Sequence, residues 1–269
     1  MSTLSAAQAD DYAAALYRAE RERNQIAALS ETHPDLTMED AYAVQAAWVD
    51  RKQADGDERI GYKIGLTSKV MQRAMRIDVP DYGVLLASMH FDNHAEIEAA
   101  RFTDPRIEVE LAFVLKERLF GEDVGIDDVL AATDYVVPAL ELISARSYRI
   151  NPDTGYVRTV YDTIADNAAN GGLVCSSEHF DPAALDLPWC GAILRKNGEV
   201  EETGLAAGVM GHPASGIRWI AKRFAAHGVG LEPGQILLAG SFTAPVPVIA
   251  GDRIEVDYGP LGTVSCAFI

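Results

Sequence analysis

The spacing of apolar positions divides the chain into a helical start and a strand-rich remainder. In residues 5–29, Tyr12, Leu16, Ala19, Ile26 and Leu29 fall near one stripe, which predicts an amphipathic helix. A second helix is expected within residues 32–56, where Thr37 and Asp40 form a capping-box-like start and Gly56 follows the polar end. Strand patterns then dominate, at residues 60–66, 82–87, 106–115, 134–145 and 171–176, with a short helix at 125–133. Residues 189–204 read as a hairpin turning at Asn197-Gly198, and 212–228 as a helix closed by Gly228. Residues 234–242 and 252–268 complete the strands, the second as a hairpin around Gly259-Pro260. The expected class is α+β: a helical segment over residues 1–60, packed on a mainly β domain over 61–269.

Composition narrows the functional classes. With 48% hydrophobic residues among 269, the chain can build a substantial core and is not disordered. A formal net charge of −17 argues against nucleic acid and anionic membranes as partners, since both reward a basic face. The three cysteines, Cys175, Cys190 and Cys266, are odd in number and widely spaced, which disfavours a disulfide framework or zinc knuckle and fits a reducing cytoplasm. No basic stretch followed by an apolar run marks a signal peptide, and no apolar run approaches the ~18 residues of a membrane span.

The chemistry concentrates in "RIEVELAFVL", Arg106 to Leu115. Side chains alternate along a strand, so Ile107, Val109, Leu111, Phe113 and Leu115 share an apolar face while Glu108 and Glu110 share the other. Ala112 and Val114 continue that second face as apolar, so the two acids sit where a covered face opens out. Glu141 repeats the anomaly, alone in the apolar run "YVVPALELIS". A buried unpaired carboxylate costs several kcal/mol or is forced neutral. Three of them need a shared cation, either an arginine or lysine or a metal. Three oxygen donors with no histidine nearby suit Mg²⁺ or Mn²⁺ rather than zinc. A Glu-x-Glu pair on an exposed strand face is the plain alternative.

These segments also resemble a known family. "RIEVELAFVL" followed about thirty residues later by "ALELISARSY" is similar to the metal-binding signature of the fumarylacetoacetate hydrolase superfamily. The likeness continues through "GYKIGLTS", "PDYG", "DTIADNAANGG", "EETGLAAGVMGHP", "EPGQILLAGSFT" and "GDRIEVDYGPLGTVSCAF", across nearly the whole chain. Within the superfamily the segments resemble the hydratase and decarboxylase branch of aromatic meta-cleavage catabolism, which handles 2-hydroxydienoates and their 2-oxo tautomers. The resemblance implies a β-roll, Mg²⁺ (or Mn²⁺) held by Glu108, Glu110 and Glu141, and a small 2-oxo acid as substrate. It implies Lys63 and Asp81 as proton-transfer groups, with the lysine pKa lowered by desolvation and the metal. Asn167, Ser241, Thr243 and Arg146 are implied substrate contacts, with Arg146 or Arg149 receiving a distal carboxylate. Asp81, Asn167 and Ser241 also have ordinary readings as turn or helix-end residues. A homo-oligomer built from dimers is implied too. Hydrolytic members carry a Y-x-x-H-x-x-E segment ahead of the metal strand; here "LASMHFDNHAEIEAARF" holds His90 and His94 without that motif, which disfavours C–C hydrolysis. Decarboxylation of a 2-oxo-enedioate is the competing reaction, and a non-catalytic binder the competing class.

Overall fold

Residues 3–69, 72–73 and 77–269 are described by the structure, a computed structural model. Helix α1 (Ala6–Glu22) starts at Ser5, whose hydroxyl accepts from the backbone N–H of Gln8 while the Gln8 side chain accepts from the backbone N–H of Ser5. It ends earlier than its stripe predicts. Arg23 adopts a left-handed conformation (φ 55°), and its N–H reaches back to the last carbonyls. Ile26 then pairs with the backbone of Arg146 and Tyr148 instead of continuing the helix. After the single turn α2 (Leu29–Thr32), helix α3 (Met38–Ala54) begins at the expected Thr37–Asp40 capping box. Asp40 is buried because it also accepts from the backbone of Thr3 and Leu4.

The strands are β1 (Arg59–Gly65), β2 (Asp81–Leu86), β3 (His90–Asp92), β4 (Ala95–Ile97), β5 (Arg106–Leu115), β6 (Thr133–Ile143), β7 (Asn170–Cys175), β8 (Gly191–Lys196), β9 (Glu199–Leu205), β10 (Ile236–Leu238), β11 (Val246–Pro247), β12 (Arg253–Asp257) and β13 (Thr263–Phe268). Helices α4 (Ile126–Ala132), α5 (Val160–Ala165) and α6 (Ala214–Ala225) interrupt them. One sheet runs β2-β1-β10-β5-β6-β7-β3, with β11 also on β5; the other runs β4-β13-β12-β8-β9. The α+β class and the mainly β body therefore stand as read from the pattern.

The longest ladder, β5 against β6, is antiparallel and carries the acids: Glu108 lies directly opposite Glu141. The β8–β9 hairpin turns at Asn197 (φ 55°) and Gly198 (φ 89°), as an Asn-Gly pair favours. The stretch 234–242 is less regular than its apolar run suggests. Only Ile236–Leu238 pair, wedged parallel to β1 and antiparallel to β5, before Gly240 (φ 120°) breaks the strand. The N-terminal helices dock on the sheet through polar as well as apolar contacts. Gln45 of α3 donates to the carbonyls of Tyr82 and Ile164, both at 2.9 Å, and Trp48 is buried beside it. Helix α6 covers β1 closely enough that a Cβ at Gly216 would overlap the Ala239 carbonyl. No described helix is long and apolar enough to cross a membrane.

Candidate active site and metal centre

The register of β5 on β6 brings the three glutamates together. One carboxylate oxygen from each of Glu108, Glu110 and Glu141 lies within 4.8 Å of the others, and no other such acid, histidine or cysteine cluster occurs among the described residues. Glu110 and Glu141 are buried and Glu108 half-buried. Strand β1 runs past β10 on the same side and delivers Lys63, whose Nζ stands 3.3 Å from Glu141 Oε1. Asn170 Nδ2 donates to that same oxygen at 3.2 Å. Asp81, the first residue of β2, pairs with Gly65 on β1. A Cβ at Gly65 would overlap Asp81 Oδ1 and stand 3.1 Å from Lys63 Nζ, so only glycine lets acid and amine share this corner.

Charge is out of balance here. Four carboxylates surround one lysine, and two of their oxygens, Glu110 Oε1 and Asp81 Oδ1, are buried without a hydrogen-bond partner. Glu110 Oε2 has only the Gly240 N–H, at 2.8 Å. Burial, and then the charges of Glu141 and Glu108, hold the Glu110 carboxyl well above the usual range. Burial and Glu141 push Glu108 up to about 8, against the pull of Lys63 and Arg149. Burial also raises Asp81. For Lys63 the surrounding acids set the direction when no cation is beside them. Burial alone depresses an ammonium, but Glu141, Asp81, Glu108 and Glu110 together outweigh it, so its pKa lies above the ordinary lysine value, not below. Orphaned hard oxygen donors with no thiolate or imidazole fit a divalent cation of the Mg²⁺ type, which Glu108, Glu110 and Glu141 would hold.

This predicts a pH signature. A carboxyl with a raised folded-state pKa binds its proton in the folded but not the unfolded state. Stability of the metal-free protein therefore falls as pH rises from the ordinary carboxylate value, ~4.5, toward about 8 at Glu108. Mg²⁺ binds the deprotonated cluster, so its stabilising effect grows over the same range. Thermal unfolding at pH 6 and pH 8, in chelator and in Mg²⁺, measures it. A Mg²⁺-induced rise in Tm that is no larger at pH 8 would contradict the assignment.

The acids open into a cavity of about 150 Å³ whose walls include Lys63, Asp81, Glu108, Glu110, Thr67, Ser241, Thr243, Arg149 and Arg158. That is below the ~300–1,000 Å³ of drug-sized sites and suits a small metabolite. A larger depression of about 930 Å³, between β8, β9 and the β12–β13 turn, has mostly apolar walls and none of the clustered acids. Ser241 Oγ donates to the Thr243 carbonyl at 2.9 Å, and Thr243 Oγ1 accepts from Val109 N at 3.2 Å, which fixes both hydroxyls at the cavity wall.

Two sequence-derived contacts do not reach the cavity. Asn167 spends its whole amide on Val84, accepting from its N–H at 2.8 Å and donating to its carbonyl at 2.9 Å. It clamps β2; its neighbours Ala168 and Ala169 line the cavity instead, from three successive left-handed residues. Arg146 is turned away from substrate. Its guanidinium is 2% exposed, bonded to Asp166, Glu20 and the Asn170 carbonyl, and stacked 4.6 Å above the Trp48 ring. It braces the loop after β6 against α1 and α3. Of the two arginines considered for a distal carboxylate, Arg149 lines the cavity. Arg158 joins it there unanticipated, since nothing in its local sequence marks it. No histidine lines this cavity among the described residues; His90 and His94 border a separate depression.

The chain is 52% identical to the 2-oxo-hept-4-ene-1,7-dioate hydratase of Escherichia coli over 254 residues, covering 94% of this chain and 95% of that one. It is 39% identical to the 2-hydroxyhexa-2,4-dienoate hydratase of Comamonas testosteroni over 94% of both chains. Its fold matches the structure of 4-oxalocrotonate decarboxylase from Pseudomonas putida G7, complexed with magnesium and adipate. The TM-score there is 0.94, with 33% identity and all of both chains covered. No protein-family model matches the chain. The chain belongs to the hydratase and decarboxylase branch of the fumarylacetoacetate hydrolase superfamily, and its fold is that superfamily's. It is an enzyme of the hydro-lyase type that its relatives represent.

Proposed function

We propose that the protein is a divalent-metal-dependent hydratase that adds water to 2-oxohept-4-ene-1,7-dioate, giving 4-hydroxy-2-oxoheptane-1,7-dioate. The observation that carries this is the Glu108–Glu110–Glu141 cluster with Lys63 in contact with Glu141, at the wall of a metabolite-sized cavity. Its support from outside the site is the 52% identity to a hydratase of that name. A Mg²⁺ or Mn²⁺ ion held by the three glutamates supplies Lewis-acid polarisation of a 2-oxo acid carbonyl. With a cation offsetting the glutamate charges that raise its pKa, Lys63 Nζ would take the proton from C3 and return one at C5, shifting the double bond into conjugation with the ketone. Asp81, buried against Gly65 and close to Lys63, orients the water that adds at C4. The Thr67 hydroxyl, at the cavity wall, would donate to the substrate's first carboxylate, and Ser241 could join it only by releasing the Thr243 carbonyl.

The test is product identity. Purified enzyme with Mg²⁺ and the dienoate is expected to give the 4-hydroxy-2-oxo acid, detected by NMR, without gas evolution. Loss of CO₂ with no hydroxylated product would replace the hydratase by a 2-oxo-enedioate decarboxylase. That second reading is favoured by the near-complete structural match to the Pseudomonas decarboxylase, itself solved with a six-carbon diacid. We also infer a cytoplasmic homo-oligomer, supported by exposed Trp189, Val200 and Ile249, with the helical segment 1–60 serving as one wall of the 61–269 roll.

A further inference from the structure

The cavity is lined by two arginines, Arg149 and Arg158, that would not hold the metal. Arg149 shares Asp104 with Arg106, and Arg158 shares Asp166 with Arg146. Glu20 takes the other side of Arg146. Asp104 and Asp166 are thus each divided between two guanidiniums, which leaves Arg149 and Arg158, the two that line the cavity, incompletely paired. Arg149 pairs with Asp104 through Nε, and its Nη2 is buried with no hydrogen-bond partner. Arg158, its side chain 5% exposed, donates from Nη1 to the Ser147 carbonyl at 3.3 Å and stands a loose 4.0 Å from Asp166.

Arg158 is buried, and Arg149, its side chain 32% exposed, still has Nη2 buried; a buried guanidinium N–H without an acceptor is costly unless an anion joins it. The strain is visible at Arg158, which burial and then the charge of Arg149 depress to about 10. A planar guanidinium with open donors matches a carboxylate, which it binds by two parallel hydrogen bonds. Glu108 and Glu110 line the same cavity, so one small molecule can meet both. Its 2-oxo acid head belongs with the glutamates, and an anionic tail with the arginines.

We propose that Arg149, together with Arg158, receives the carboxylate at the far end of the substrate and makes this site select 2-oxo diacids over 2-oxo monoacids. The proposal rests on the reading that a 2-oxo acid binds at the glutamate cluster. A different role exists for Arg149, since its charge also draws Glu108 toward ionisation, and the experiment separates the two.

Mg²⁺-loaded enzyme is titrated calorimetrically with 2-oxoheptanedioate and with 2-oxoheptanoate, which share their head and carbon count and differ only at the far end. The wild type is expected to prefer the diacid by about 10- to 100-fold, the range of a charge-assisted hydrogen bond to a buried group. R149Q is expected to bring the preference close to unity. A wild type without preference, or an R149Q enzyme that keeps it, overturns the proposal. An equal loss for both ligands does so too, and assigns Arg149 to neutralising Glu108. Should R149Q fail to fold, R149K, which keeps the charge and loses the paired fork, and R158Q are read by the same ratio. Neither ligand has an alkene to hydrate. Selective binding of the diacid with no hydration of the alkenoate would therefore sink the hydratase reading and leave the subsite standing.

Discussion

Glu110→Gln removes metal binding and hydration together, lowering kcat/KM by more than about 10³-fold while making the metal-free protein more stable. Glutamine matches the shape of Glu110 and keeps an oxygen for the Gly240 N–H, so the β5–β10 join is preserved. What it removes is a charge in a fully buried position, beside Glu108 and Glu141, whose free oxygen has no partner in the protein. In the absence of metal, burial and the charges of Glu141 and Glu108 push this carboxyl toward its protonated form, against the weaker pull of Lys63, so a neutral amide removes that cost. In the presence of Mg²⁺ the cluster lacks one of its three anionic donors. The signature has two parts: a Tm in chelator above that of the wild type, and a Tm that no longer responds to Mg²⁺. A variant that still gains stability from Mg²⁺ and keeps activity within tenfold would end the metal assignment. Glu108 is a less decisive choice, because it is half-buried and leans on Arg149.

The paired glutamates were legible because a strand has a strict two-residue period. Arg106–Leu115 has in the structure the bounds that its alternation gives, and Glu108 and Glu110 share a face. Glu141 stood out as a charge in an apolar run, but its alignment with Glu108 depends on how β6 pairs with β5, which no local pattern encodes. Arg146 shows the limit of reasoning by proximity in sequence. It follows Glu141 by five residues, yet β6 ends at Ile143 and the loop beyond carries the arginine to Trp48 and Glu20. Arg158 was invisible for the opposite reason: it lies far from the acids along the chain and reaches them only through the fold. Asn167 sat in the right motif, but its amide is taken by the backbone of β2, a strand some eighty residues earlier. The short strands β3, β4 and β11 are too brief to show any period. The setting of Lys63 was not legible either, because the four acids that raise its pKa in the absence of a cation are assembled only by the folded sheet.

Lys63→Met is expected to reduce kcat by about 10² to 10⁴-fold, the contribution of a positioned proton-transfer group, while Mg²⁺ binding persists. Methionine keeps the unbranched shape in the narrow space between Gly61 and Gly65, where a Cβ on either glycine would overlap its neighbours. It removes the amine 3.3 Å from Glu141 and with it the main counter-charge of the four carboxylates. The metal-free variant should therefore be less stable than the wild type and gain more from Mg²⁺, the reverse of Glu110→Gln. A structural role for the lysine predicts that much and no more. Proton transfer predicts something further: exchange of C3 hydrogens of the saturated analogue 2-oxoheptanedioate with D₂O, seen by NMR with wild-type enzyme, should disappear in the variant even where Mg²⁺ has restored its Tm. Undiminished exchange in a folded, Mg²⁺-loaded Lys63→Met enzyme would remove the lysine from the chemistry and leave Asp81 as the group next to the reacting carbon. The opposed stability changes at Glu110 and Lys63 make the pair a single experiment on sign: one residue loads the cavity with negative charge, the other holds it there until a cation arrives.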